Sequence, residues 1–255
     1  VEEDRLTASA GDDRVIVLVP GLWNRGIEFL WLRRLLGRAA ARPTFLFRYR
    51  TVADTFEESV TRLTDFVESL PATPVDLVGH SLGGLLTLAA LARLPADGVG
   101  RVVLLGPPVN GSRAVRSALA RIPGSRRIIG RNAPVLAAGV GHPPAGIEIG
   151  VIAGSGGLGV GRVVTRFDGP NDGTVAVAET RLSGARDALV LPVTHTGMLF
   201  SKEVAAQAAH FLDHGSFDRH GAATESPRPN RGDGAGGPRA ASGSAPQSSS
   251  RDLSS

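Results

Sequence analysis

Along residues 14–217, short apolar runs alternate with longer stretches in which apolar side chains recur every three or four positions. Six runs predict strands: RVIVLV (Arg14–Val19), TFLFRY (Thr44–Tyr49), VDLV (Val75–Val78), RVVLL (Arg101–Leu105), EIGVIA (Glu148–Ala153) and ALVLPV (Ala188–Val193). They are rich in Val, Ile and Leu and are not broken by regular polar alternation. Such runs suit strands covered on both faces. The helical period predicts helices over Ile27–Ala40, Thr55–Leu70, Leu82–Arg93 and Lys202–His214. In the last of these, Val204, Ala208, Phe211 and Leu212 share one face. Strand, helix, strand, repeated, defines an α/β chain: a mostly parallel sheet of about six strands with helices on both faces. In such a sheet, reactive groups gather where strands end at their carboxyl termini.

The pattern also sets boundaries. Residues 1–13 form a polar lead-in, and one domain spans residues 14–217. Residues 218–255 are rich in Ser, Gly, Pro and Ala. They predict a disordered tail, because they cannot bury enough surface to offset chain entropy. The RGD at Arg231–Asp233 falls in this tail and reads as a compositional accident. Residues 109–147 are the expected place of a small cap. They carry Arg113, Arg116, Arg121, Arg126, Arg127 and Arg131 and no acidic residue, with apolar positions interleaved. This pattern reads either as a solvated face on a covering helix or as a positive rim attracting an anionic substrate or weak association with an anionic interface.

Composition narrows the function classes. The 255 residues include no cysteine, which excludes disulfides, cysteine-based zinc sites and a thiol nucleophile. The formal charge is +4 and no basic run resembles a nucleic-acid-binding arm, so no nucleic-acid partner is expected. No stretch of about 18 apolar residues is present to cross a bilayer. The acidic start VEEDRLTASAGDD is the opposite of a signal peptide, so the expectation is a cytoplasmic monomer acting on a small-molecule or lipid substrate.

The candidate chemistry sits just after the apolar runs. Residues 79–83 read GHSLG, preceded by a strand pattern and followed by LLTLAALARL. That is the strand–turn–helix setting in which a tight turn presents a serine oxygen at a helix N-terminus. Ser81 is therefore the candidate nucleophile. Of the six histidines, His195 alone stands after a late strand and before a terminal helix, and it is the candidate base. His80 points away from its neighbour in such a turn, His142 lies in a proline-rich loop, and His210, His214 and His220 lie in or beyond the last helix. Asp172, in FDGPNDGTVAV, is the candidate orienting acid, with Asp168 as the alternative. The order serine, aspartate, histidine matches one of the three known chain orders of such triads. The amides of Leu82 and Leu22 are the candidate oxyanion donors, the second following the first strand in LVPGLW. Trp23, Met198 and Leu199 are candidate substrate-binding residues by proximity in sequence, whereas Trp31 reads as a core residue of its helix. Gly154, Gly156 and Gly159 match G-x-G-x-x-G, but the residues that follow are too few and too β-branched for the helix a dinucleotide site requires.

The stretches VxLVPGL, VGHSLGG, LLGPPVNGS, GVIAG, GPNDGTVAV and LPVTHTGML together resemble small bacterial α/β-hydrolases of the lipase/esterase type, related to triacylglycerol-lipase-like and PGAP1-like serine hydrolases. The resemblance runs from about Val15 to Phe217. It implies the α/β-hydrolase fold, a Ser81–Asp172–His195 triad, no cofactor and no metal, and hydrolysis of carboxylic esters through an acyl-enzyme. The same triad would serve an acyltransferase, a thioesterase or a peptidase, and the scaffold could carry a non-catalytic binding module. The family usually has His-Gly where this chain has Pro20–Gly21, so a proline with fixed φ replaces a histidine that braces the oxyanion loop.

Overall fold

The computed structural model describes residues 14–23, 27–71, 74–141, 145–159, 161 and 165–219. The lead-in, the RGD motif, His142, His220 and the tail from residue 220 lie outside the described residues.

Six strands form one sheet in the order β2-β1-β3-β4-β5-β6, and every pairing is parallel. They are β1 (Val15–Val19), β2 (Thr44–Leu46), β3 (Val75–His80), β4 (Val99–Leu105), β5 (Ile149–Gly154) and β6 (Asp187–Leu191). The helices are α1 (Ile27–Ala40), α2 (Phe56–Glu68), α3 (Leu82–Leu91), α4 (Arg113–Arg121), α5 (Ser125–Ile129), α6 (Ala133–Ala138) and α7 (Lys202–His214).

Side chains of successive strand residues point to opposite faces, so one apolar run feeds two cores. Val15, Val17, Val19, Leu77, Val102 and Leu104 enter one layer, packed with α2, α3 and parts of α5 and α6. Ile16, Leu18, Val78, Val103, Leu105 and Ile152 enter the other, packed with α1 and α7. This double burial is why the runs lack alternation. Helix ends follow local chemistry. Thr55 caps α2 in a reciprocal box: its hydroxyl accepts the Glu58 amide while the Glu58 carboxylate accepts the Thr55 amide. The hydroxyl of Ser201 accepts the Val204 amide at the start of α7, and Gly215 in the left-handed region ends it.

Several strand boundaries differ from the sequence pattern by a residue or two, and three of these have a clear cause or consequence. The second run pairs only over Thr44–Leu46; it is an edge strand, and beyond it Tyr49 turns toward the loop after β1. The last strand stops at Leu191, because Pro192 has no amide to donate to the ladder. β3 extends through Gly79 to His80, so the strand runs straight into the turn that holds Ser81.

The chain places β2 on one side of β1 and β3 on the other. The strand order reverses there, and a crevice opens at the carboxyl ends of β1 and β3. No described helix is long and apolar enough to cross a membrane.

Candidate active site

Ser81 stands between β3 and α3 with φ 55° and ψ −120°, a backbone shape that costs a non-glycine residue about 1–3 kcal/mol. The surroundings hold it there. The Ser81 amide donates to the Leu105 carbonyl at 2.9 Å, and the Ser81 carbonyl accepts from the Gly84 amide at 2.9 Å. At Gly83 a Cβ would collide with the carbonyl oxygens of Val19 and Pro20, so only glycine lets the first turn of α3 lie against the loop after β1. At Gly21 a Cβ would sit 3.0 Å from the Ser81 Cβ, which places that loop directly beside the serine.

The loops after β5 and β6 meet at the same end of the sheet. His195 Nδ1 lies 2.6 Å from Asp172 Oδ2. The His195 amide donates to the Asp172 carbonyl at 2.9 Å, so main chain and side chain both join the two loops. The other carboxylate oxygen of Asp172 accepts the amides of Thr174 at 2.9 Å and Val175 at 2.7 Å. Asp172 is fully buried, while the His195 ring keeps a small exposed edge. A carboxylate so fixed selects the imidazole tautomer with the proton on Nδ1, leaving Nε2 as the acceptor.

The structure joins His195 to Asp172, with Ser81 in the turn next to His80, and leaves Asp168 elsewhere. Asp168 is an exposed carboxylate paired with Arg113. His80 links the serine turn to the histidine loop. Its Nε2 donates to the His195 carbonyl at 3.0 Å, and the two rings lie 4.7 Å apart. The hydroxyl of Ser81 makes no hydrogen bond to any described residue. The unliganded positions of a serine and its base are often loose, tightening only with substrate bound.

Burial, with the neighbouring His195 adding to it, pushes the His80 imidazole down to about 3, so the ring is neutral in the fold. The unfolded chain returns it to about 6.5, and it then takes up a proton that the native state excludes. Its contribution to stability is therefore full above pH 6.5 and is lost as pH falls toward 3. Between pH 7.5 and pH 5 the stability of the wild type should fall by about 2 kcal/mol relative to His80→Gln, which cannot titrate. Urea midpoints of the two proteins across this range measure it, and parallel curves would contradict a neutral buried ring.

The candidate oxyanion donors lie in the two segments that close contact brings together at the Ser81 turn. The Leu82 amide opens α3, and the Leu22 amide lies in the loop after β1; neither has a hydrogen-bond partner among the described residues. Sequence reasoning missed the brace of this loop. Tyr49, the only tyrosine, donates its hydroxyl to the Pro20 carbonyl at 2.8 Å. Burial raises its phenol further, so it stays protonated and able to donate. The only signal in the chain was its place at the end of an apolar run.

Of the three residues singled out for substrate, only Trp23 reaches the surface. It is half exposed, has φ 64°, and donates its indole N–H to the Ile128 carbonyl at 2.8 Å and its amide to the Thr51 hydroxyl at 3.1 Å. Met198 and Leu199 are fully buried in the layer shared with α1 and α7. They offer no surface to a ligand, and Met198 packs near Asp172 at the end of β5. Trp31 is half exposed on α1, with its indole N–H toward the Phe200 carbonyl at 3.3 Å, and is not core. The glycine-rich stretch packs against both loops of the pair: the Gly157 amide donates to the Asn171 carbonyl of the acid loop and the Gly156 amide to the Val193 carbonyl of the histidine loop.

A parallel sheet with a strained serine at the β3–α3 turn and a buried aspartate–histidine pair after its last strands defines the α/β class that uses a nucleophile elbow. The Alpha/beta hydrolase family matches residues 16–228, and the chain belongs to it. Among solved structures, a lipase of Bacillus licheniformis, BlEst2 in mature form, is 19% identical, with a TM-score of 0.63 over 78% of this chain and 90% of that one. The metagenomic carboxyl esterase MGS0156 is 19% identical, with a TM-score of 0.55 over 79% of this chain and 75% of that one. The type II thioesterase BorB of the borrelidin biosynthetic cluster is 14% identical, with a TM-score of 0.51 over 78% of this chain and 90% of that one. At these identities the likeness is one of fold. No curated protein matches the sequence.

Proposed function

We propose that this chain hydrolyses carboxylic esters through an acyl-enzyme on Ser81. The observation that carries the reading is the buried Asp172–His195 pair, bonded at 2.6 Å, beside a serine held at positive φ. In this reading His195 Nε2 takes the Ser81 proton as Oγ attacks the acyl carbonyl. Asp172 stabilises the imidazolium that forms. The amides of Leu22 and Leu82 receive the oxyanion, and His195 returns its proton to the departing alcohol. Water, deprotonated by His195, then releases the acid and frees the serine. Pro20, fixed in φ and tied to Tyr49, takes the place of a bracing histidine in the oxyanion loop. A lipase and a carboxyl esterase are among the proteins that share the fold, as is a thioesterase, and this reading takes the first two as its guide.

An alkyl fluorophosphonate carrying a fluorophore tests the nucleophile directly. It should label the protein one to one, with the adduct on the peptide containing Ser81 by mass spectrometry. Absence of label, or label on another serine, overturns the reading.

A further inference from the structure

Two neighbouring recesses share part of their lining; the first adjoins the loop after β1, and the second lies among arginines. The first, of about 630 Å³, begins at Pro20 and Trp23, on either side of Leu22, and is walled by Phe47 and Tyr49. It is mostly apolar. The second, of about 730 Å³, shares Arg50, Val52 and Ala53 with the first and ends among Arg126, Arg127 and Arg131. The shared residues set a cluster of guanidinium groups next to the recess that adjoins the loop after β1.

The charge of that far end is not balanced by the protein. Arg50 is paired with Asp54, at 2.8 Å, and Asp54 is buried and shared with Arg62. Arg131 reaches only the exposed Glu58, at 4.0 Å. Arg126 and Arg127 have no acidic partner among the described residues, and residues 109–147, which supply three of the four arginines, contain no carboxylate. Like charges gathered in one concave surface repel one another and favour a bound anion. Guanidinium groups suit phosphate and carboxylate because their paired donors match two oxygens at once.

We infer that the recess lined by Arg126, Arg127 and Arg131 is an anion subsite, and that the substrate is an ester whose far end carries a carboxylate or phosphate. This assignment rests on the ester-hydrolase reading of Ser81. The scissile carbonyl lies at Ser81, an apolar spacer follows the wall of Phe47 and Tyr49, and the anion meets the arginines. The cap arginines thus select the substrate, and are more than a solvated face.

The test compares p-nitrophenyl half-esters of glutarate, adipate and suberate with neutral p-nitrophenyl esters of matched length. The measured quantity is the ratio of kcat/KM for anionic over neutral ester. At the favoured length this ratio should fall by at least about tenfold in Arg126→Gln/Arg127→Gln, the loss expected for charge-assisted hydrogen bonds. It should stay unchanged in the charge-matched control Arg33→Gln/Arg34→Gln, two exposed positions of α1. A second arm measures binding to phosphatidylglycerol and phosphatidylcholine vesicles. Loss in the vesicle arm alone assigns the anion to a lipid headgroup, and loss in the half-ester arm alone assigns it to a soluble substrate. A flat response of the cap variant in both arms, or an equal response of the control, overturns the subsite. Failure of the hydrolase reading is separable. If no ester is turned over, quenching of tryptophan fluorescence by mono-p-nitrophenyl suberate on Ser81→Ala protein still reads the arginines, and equal affinity with and without Arg126 and Arg127 sinks the subsite alone.

Discussion

Ser81→Ala is expected to lower kcat for p-nitrophenyl butyrate by roughly 10⁵–10⁶-fold, the scale on which removal of a triad nucleophile acts. Stability should change by no more than about 0.5 kcal/mol, because the hydroxyl makes no bond to a described residue and alanine keeps the Cβ that strains the turn. Ser81→Gly separates the two effects. It removes the same nucleophile but relieves the backbone at φ 55°, and should raise stability by about 1 kcal/mol. Ester turnover and urea midpoints of the two variants give both quantities. Activity of Ser81→Ala within tenfold of wild type would remove Ser81 from the chemistry.

Asp172→Asn should cost about 10⁴-fold in kcat, for a reason visible in the hydrogen bonds. One carboxylate oxygen already accepts two amides, from Thr174 and Val175. An asparagine must put its carbonyl there, since its NH₂ cannot accept them. The NH₂ then faces His195 Nδ1 and donates to it. That fixes the imidazole proton on Nε2, the atom that must receive the serine proton. Shape and burial are conserved, so thermal unfolding should move little beside the change in rate. Steady-state kinetics on a neutral ester measure it. A loss of less than tenfold would mean that Asp172 is only a loop-building residue.

The doubly covered sheet was legible because its central strands are short runs dominated by Val, Ile and Leu that are buried on both faces. β1 shows this best: Val15 to Val19 feed both cores. The serine turn was legible because its glycines, strand and helix are contiguous in the chain. The choice between Asp172 and Asp168 was less so. Both lie in one loop, and only packing buries the first while the second pairs with Arg113 at the surface. What escaped the sequence depends on long-range contact. The bond from Tyr49 to Pro20 spans 29 positions, and nothing local announces it. Met198 and Leu199 mislead for the converse reason: closeness to His195 along the chain places them behind the site, in the core. The short second strand escaped because an edge position has one pairing partner and tolerates early departure.

Helices α5 and α6 and the turn between them are stitched to the body of the protein at the 50–55 loop and at Trp23. The Trp23 indole holds Ile128, the Arg131 amide holds Val52, and the buried side chain of Asn132 holds the carbonyls of Thr51 and Asp54. Four bonds would have to break together for this doorway to swing. If the proposed hydrolase takes its substrate through this recess, reshaping what enters would mean altering Trp23 and Val52, the residues that line it, more than loosening a hinge.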